Sequence, residues 1–294
     1  MGGMMEGILG AIRNRLSLTA ELVAFPHTIF ALPFAFMGML LGAGGLPGLH
    51  DVSWITVAMI GARTAAMSFN RIVDRRFDAG NPRTRSRPLP SGRLGLAWAT
   101  GILVLSCAVF LLAAWNLDPL CLALSPLALA IVLGYSLTKR FTWLTHGLLG
   151  LGLAVAPVGA WIAVSGGMSP VPVLLALAVL LWTAGFDIIY ACQDAGFDRQ
   201  SGLSSIPARF GVAHALRVSS ILHAAMIAIL GAMAAAAGLG TVFYCGLALT
   251  AGVLLYEHRI VRPDDLSRVN LAFFTLNGWI SAVLFLATAL DQRF

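Results

Sequence analysis

Charged residues are scarce in this chain of 294 residues: Asp, Glu, Lys and Arg together make up 11%, and Lys139 is the single lysine. Soluble globular domains carry roughly 25%. A soluble enzyme, a disordered chain and a nucleic-acid binder acting through a broad basic surface are therefore excluded. Cysteine is nearly absent too. Cys107, Cys121, Cys192 and Cys245 lie in apolar runs without CxxC spacing, which excludes a disulfide framework and a zinc site. No Ser-His-Asp grouping for nucleophilic catalysis stands out. His27, His146, His214, His223 and His258 show no metal-ligand spacing and read as core or interface histidines.

Apolar residues are abundant instead, at 59% of the chain, with a mean hydropathy of +0.86. A hydrocarbon core of ~30 Å needs about 20 apolar residues per helix. That ruler predicts an all-α polytopic membrane protein with nine transmembrane helices around a central cavity. The expected spans are residues 18–42, 52–72, 94–115, 119–138, 144–164, 171–192, 213–237, 240–260 and 269–290. Turn-forming runs separate them at Gly44-Gly45-Leu46-Pro47, Asn116-Leu117-Asp118-Pro119, Ser165-Gly166-Gly167 and Gly238-Leu239-Gly240. Of the 19 Lys and Arg residues, all but Arg63 and Arg293 lie in the N-terminal lead-in or in and around the connections after spans two, four, six and eight. The positive-inside rule then predicts a cytoplasmic N-terminus and an outward C-terminus. Residues 1–294 read as one membrane-embedded domain.

Two acidic clusters carry the chemistry. The first is Asn70-Arg-Ile-Val-Asp74-Arg-Arg-Phe-Asp78. Spacings of four place Asn70, Asp74 and Asp78 on one helical face. The second is Asp187-Ile-Ile-Tyr190-Ala-Cys-Gln-Asp194-Ala-Gly-Phe-Asp198. Steps of seven and eleven nearly return to the starting direction, so Asp187, Asp194 and Asp198 are expected on one face as well. Carboxylates at a bilayer edge are costly unless a cation holds them, and hard oxygen donors suit Mg²⁺ shared with substrate phosphates. The competing reading pairs these aspartates with neighbouring arginines such as Arg71 and Arg75.

The clusters repeat at an offset of 120 residues. Each is followed by a loop rich in Arg and Pro, residues 81–90 and 204–211. Two similar helix-loop units, centred near 60–95 and 180–212, are expected to face each other across one cavity. Lys139 lies one helical turn from Tyr135. Arg63 projects on nearly the same face as Asn70, two turns deeper, and a buried arginine in a membrane helix needs an anion. A diphosphate would supply one; an ion pair with Glu21 is the alternative.

These motifs resemble the UbiA superfamily of intramembrane prenyltransferases, and the resemblance covers essentially the whole chain. It is carried by NxxxDxxxD at Asn70 to Asp78, the Asn81-Pro-Arg-Thr loop, Tyr135 with Lys139, and DxxYAxxDxxxD at Asp187 to Asp198. The segments His27 to Phe36 and Gly202 to Gly211 are similar to the 4-hydroxybenzoate polyprenyltransferase branch, although Pro26 stands where relatives of this branch often have a polar or acidic residue. The resemblance implies that Asn70, Asp74, Asp78, Asp187, Asp194 and Asp198 hold Mg²⁺ on a polyprenyl diphosphate. It implies that Arg63, Arg83, Arg87 and Lys139 contact the diphosphate or an acceptor carboxylate. Tyr135 and Tyr190 would flank the allylic carbon. Asp74, Asp78, Asp194, Asp198, Lys139, Tyr135 and Tyr190 are the catalytic candidates. The implied partners are a polyprenyl diphosphate, an aromatic acid acceptor and the lipid bilayer, with no nucleic acid. The implied setting is a bacterial cytoplasmic membrane with the active site facing the cytoplasm. Prenylation of a naphthoate for menaquinone is the alternative within the fold. Outside it, nine spans and a repeat also allow a secondary transporter for an anionic substrate.

Overall fold

The computed structural model describes residues 13, 15–23 and 31–292. Among these, the regular elements are helical apart from a β-bridge between Arg262 and Asp265. After a helical segment over residues 15–22 come α1 (Ala31–Ala43), α2 (Leu49–Gly80), α3 (Leu96–Leu117), α4 (Pro119–Thr138), α5 (Thr145–Ser165) and α6 (Pro170–Ala191). A 3₁₀ turn (Cys192–Asp194) leads into the short α7 (Ala195–Gln200) and α8 (Ile206–Phe210). Then follow α9 (Val212–Ala237), α10 (Thr241–Ile260), a π-helical turn (Leu271–Leu276) and α11 (Asn277–Asp291).

Seven segments are long and apolar enough to cross a bilayer: α2, α3, α4, α5, the run from Pro170 to Gln200, α9, and the run from Leu271 to Asp291. The chain is thus a polytopic membrane protein. α1 is apolar but only 13 residues long, and the expected first span, 18–42, includes residues 24–30, which lie outside the described residues together with Pro26 and His27. α2 departs most from expectation. It runs 32 residues, about 48 Å at 1.5 Å per residue, against a hydrocarbon core of ~30 Å. The helix is thus longer than the apolar layer, and its last turns carry the first acidic motif.

The expected breakers terminate the helices. Asp118 accepts from the Leu120 N–H at 2.7 Å ahead of Pro119 at the start of α4, which satisfies an otherwise orphaned donor. Gly166 and Gly238 close α5 and α9 in the left-handed region, where glycine has no steric penalty. The start of α10 is capped from far away: the Asp291 carboxylate accepts from the N–H groups of Gly240, Val242 and Phe243.

Lipid is as apolar as leucine, so close packing rather than water exclusion holds such helices together. α3 packs on α2, α4 on both, α5 on α4, α1 and α6, α9 on α6 and α10, and α11 on α10 and α1. Small residues set the closest crossings. A Cβ at Gly38 of α1 would lie 2.2 Å from the Pro157 carbonyl oxygen of α5, and one at Gly150 of α5 would lie 2.4 Å from the Leu180 carbonyl oxygen of α6. The aromatic core is Trp182, Phe34 and Phe186. The Trp182 indole donates to Asn277 Oδ1 at 2.7 Å, and Asn277 Nδ2 donates to the Ala272 carbonyl at 3.0 Å, which satisfies an oxygen of the π-helical turn. A cavity of about 350 Å³ lies among α2, α3, α4 and α5. Its walls are apolar except for a few groups, notably Arg63 and Tyr135.

Candidate active site

The first acidic motif lies on one unbroken helix, so its residues share a face as predicted. Asn70 Nδ2 donates to Asp74 Oδ2 at 2.9 Å. Asp78, buried at the end of α2, accepts from Arg87 at 2.8 and 2.9 Å. The loop after α2 turns back at once. Asn81 Oδ1 accepts the Arg83 N–H at 2.9 Å, its carbonyl accepts from Thr84 and Arg85, and the Thr84 hydroxyl donates to the Asp78 carbonyl. These bonds hold the loop against the helix end and aim Arg83 and Arg87 at acids.

The second motif corrects the sequence reading. The expectation that Asp187, Asp194 and Asp198 share one face assumed a continuous α-helix. α6 instead ends at Ala191, and the 3₁₀ turn at Cys192–Asp194 intervenes. A 3₁₀ turn advances 120° per residue, so the angular sum no longer holds. Each acid instead has its own partners. Asp194 accepts from Asn81 at 3.1 Å and from Arg83 Nε at 3.0 Å, with a second, shorter bond from Arg83 Nη2. Arg83 also donates to the Tyr190 hydroxyl at 2.8 Å and lies over its ring. Asp198 accepts from Ser205 at 3.0 Å and lies 3.7 Å from Lys139 Nζ. Asp187 is 2.7 Å from His146.

Lys139 stands among both motifs. Burial pulls its ammonium downward, but Asp198, Asp187, Asp194 and Asp74 together hold it above the ordinary lysine range. For Arg83 burial again works downward, and the bonds from Asp194, with Tyr190 and Asp78 nearby, raise it further. Both cations are thus held in place by the acids of this site.

The competing reading named Arg71 as a partner of the aspartates, but Arg71 donates to the Leu22 carbonyl at 3.3 Å, while Asp74 takes Arg140 at 3.3 Å. Arg63 does not pair with Glu21, which holds Arg93. Arg63 lines the cavity with Tyr135, and its buried Nε has no partner among the described residues. His223 and His258 do behave as core histidines, bonded to each other at 3.0 Å. His146 does not, because it touches a motif acid. Sequence reasoning also assigned no role to Asn81, Arg140, Phe273 and Phe274. Asn81 and Arg140 are adjacent to flagged motifs, a signal that was available. Phe273, stacked 4.1 Å from Tyr190, and Phe274 reach it only through the π-helical turn.

Among the described residues no three His, Cys, Asp or Glu side chains converge as a ready metal cage. The donor set nonetheless fits Mg²⁺, which is usually bound through one or two carboxylates together with substrate phosphates and waters. Oxygen donors from two helices, each paired with an arginine or lysine head that can turn to an anion, suit a metal that arrives with its anion.

A helical membrane fold with two acid-bearing segments joined under a cationic loop, beside an apolar cavity, offers a site for an ionised group with an apolar part. The chain belongs to the UbiA prenyltransferase family, whose model matches residues 31–280; it is a membrane prenyltransferase. It is 31% identical over 287 residues to the 4-hydroxybenzoate octaprenyltransferase of Azoarcus sp. (strain BH72), covering 95% of this chain and 98% of that one. The apo structure of a UbiA homologue from Aeropyrum pernix K1 superposes with a TM-score of 0.82 at 37% identity, over 90% of this chain and 98% of that one. A UbiA homologue from Archaeoglobus fulgidus, bound to DMAPP and Mg²⁺, shares the fold with a TM-score of 0.62 at 18% identity, over 90% and 98% of the two chains.

Proposed function

We propose that the protein transfers a polyprenyl group from a polyprenyl diphosphate to a ring carbon of an aromatic acid, 4-hydroxybenzoate or a close phenolic acid, in quinone biosynthesis. The observation that carries this reading is the joining of Asp194 to Asn81 and Arg83 across more than a hundred residues, with Arg63 and Tyr135 lining the adjoining apolar cavity. The relatives named as 4-hydroxybenzoate octaprenyltransferases support the acceptor and a long donor.

In this reading Asn70, Asp74, Asp78, Asp187, Asp194 and Asp198 hold Mg²⁺. When bound, the metal neutralises the diphosphate so that the allylic C–O bond can ionise. The chain's own groups do the rest. Arg83, Arg87 and Lys139 exchange a carboxylate for diphosphate oxygens, so the acids they leave become free to hold cations. Arg63 supplies a fixed charge at the cavity for the diphosphate or for the acceptor's carboxylate. Tyr135 and Tyr190 present aromatic faces to the allylic cation, and the tail occupies the apolar cavity. The electron-rich ring carbon attacks the allylic carbon, and the ring then loses its proton. The single domain would span the membrane nine times, with α1 and α10 completing the count, and with the site facing the cytoplasm.

The deciding experiment feeds purified enzyme one labelled polyprenyl diphosphate with 4-hydroxybenzoate, its amide, or a dihydroxynaphthoate. The acid should be prenylated fastest, because a carboxylate gives an arginine a bidentate partner that the amide lacks. Equal rates for acid and amide would remove the carboxylate clamp. Preference for the naphthoate would move the protein to menaquinone synthesis. Uptake of an anion into proteoliposomes without diphosphate release would replace the enzyme by a transporter.

A further inference from the structure

One fully buried polar side chain touches this site from outside the two motifs. His146, in the first turn of α5, has a side chain only 1% exposed. Its Nδ1 lies 2.7 Å from Asp187 Oδ2, and its Nε2 lies 3.3 Å from the backbone nitrogen of Ile206. A backbone N–H can only donate, so Nε2 must offer its lone pair. The ring proton is then on Nδ1, where it donates to the Asp187 carboxylate.

We infer that His146 is a positioning residue that locks Asp187 to the loop returning over the second acidic motif. Fixing one oxygen of a carboxylate fixes the plane in which the other lies. The same imidazole holds Ile206, the first residue of α8, and the two residues before it hold the rest of the site. The Ser204 N–H donates to the Lys139 carbonyl at 2.7 Å, and the Ser205 hydroxyl donates to Asp198 Oδ2 at 3.0 Å. Three consecutive loop residues thus contact Lys139, Asp198 and His146. The root of the histidine is secured as well: Thr145 and Thr138, at the facing ends of α5 and α4, are hydrogen-bonded at 2.7 Å. A shift of the imidazole would move Asp187 and the loop together, and with the loop the contacts of Asp198 and Lys139. This inference rests on the reading of Asp187 as a carboxylate of the metal-diphosphate site.

The test uses purified full-length protein in detergent with Mn²⁺ and inorganic diphosphate as the binding probe, read by the loss of the free Mn²⁺ electron paramagnetic resonance signal. H146L removes both the donor and the acceptor and should weaken Mn²⁺ binding about tenfold or more, the usual scale for losing an outer partner of a metal ligand. H146N places its amide nitrogen where Nδ1 lies, keeps the bond to Asp187 and should recover much of that loss. The double variant H146L/D187N should bind no more weakly than D187N alone, because both act through one carboxylate. In turnover, the Mg²⁺ concentration for half-maximal rate should rise in H146L while the KM for the aromatic acceptor stays put. If H146L does not fold, H146Q serves instead: its amide stands where Nε2 lies and loses the bond to Asp187, so weakened Mn²⁺ binding supports the inference and unchanged binding overturns it. Wild-type Mn²⁺ binding in H146L, or strictly additive losses in the double variant, would overturn it while leaving the metal reading intact. Undiminished Mn²⁺ binding in D187N would overturn the metal reading of Asp187 and this inference with it.

Discussion

Every aspartate of the two motifs has a polar or cationic neighbour, and the arrangement explains why loss of one acid should be severe. Asp194 ties Arg83 and Asn81 to the second motif, and Asp74 contacts Arg140 and Asn70. Asp74→Ala and Asp194→Ala should each lower turnover by at least about 10²-fold, the scale of removing one electrostatic contributor from an active site. Both variants should still insert and run as folded protein in detergent, since half-buried groups at helix ends are changed rather than the packed core. EDTA should abolish wild-type activity and Mg²⁺ should restore it. Near-normal turnover in either variant would show that the two motifs do not form one site. At this scale the shared face of the first motif was legible, because α-helical spacing places Asn70, Asp74 and Asp78 together on a continuous helix. His146 was not, since a lone histidine in an apolar run carries no signal until its neighbours are known.

Among the elements, α5 is the one whose placement governs the site. It touches α1, α4 and α6, lines the cavity along much of its length, and presents His146 to Asp187. Its approach to α6 depends on Gly150, where a side chain would meet a backbone oxygen that cannot rotate aside. Gly150→Val should therefore destabilise the protein by about 1–3 kcal/mol through overpacking, seen as a lower melting temperature in detergent. It should also weaken activity, because α5 and α6 would be pushed apart at the level of the cavity. A melting temperature equal to wild type would mean that the two helices pack differently. Helix limits were largely readable: Asp118-Pro119, Gly166 and Gly238 stand where the helices start or stop. The 3₁₀ turn after Ala191 and the π-helical turn at Leu271–Leu276 were not readable, because both depend on partners distant in sequence, such as Arg83 for Asp194 and Trp182 for Asn277.

For the whole molecule the decisive property is sidedness. Both acidic motifs, the loop at residues 81–95, Lys139 and the loop at residues 201–205 meet at one end of the helices, and the basic residues concentrate there. Reporter fusions after Gly92, Lys139 and Arg209 should all report the cytoplasm, and a fusion at Gly45 should report the opposite side, by the positive-inside rule. An external signal at Gly92 would place the acids away from a cytosolic donor and end this topology. The two motifs recur at an offset of 120 residues but differ in local geometry. The first motif runs on one continuous helix, whereas the second is broken by a tighter turn.

The sequence by itself determined the membrane setting and the all-helical class, because these follow from composition and apolar run length, and the resemblance of its motifs pointed to the family. Those properties act within a few turns of chain and need no partner. Only the tertiary structure decided which cation meets which acid. Asp194 takes Arg83 rather than a neighbour on its own helix, Asp74 takes Arg140, and Arg71 serves the Leu22 carbonyl. A side chain's partner is set by which helix ends the packing brings within about 3 Å. Close crossings such as those at Gly38 and Gly150 set how near the helices lie, and no local pattern in the chain records it.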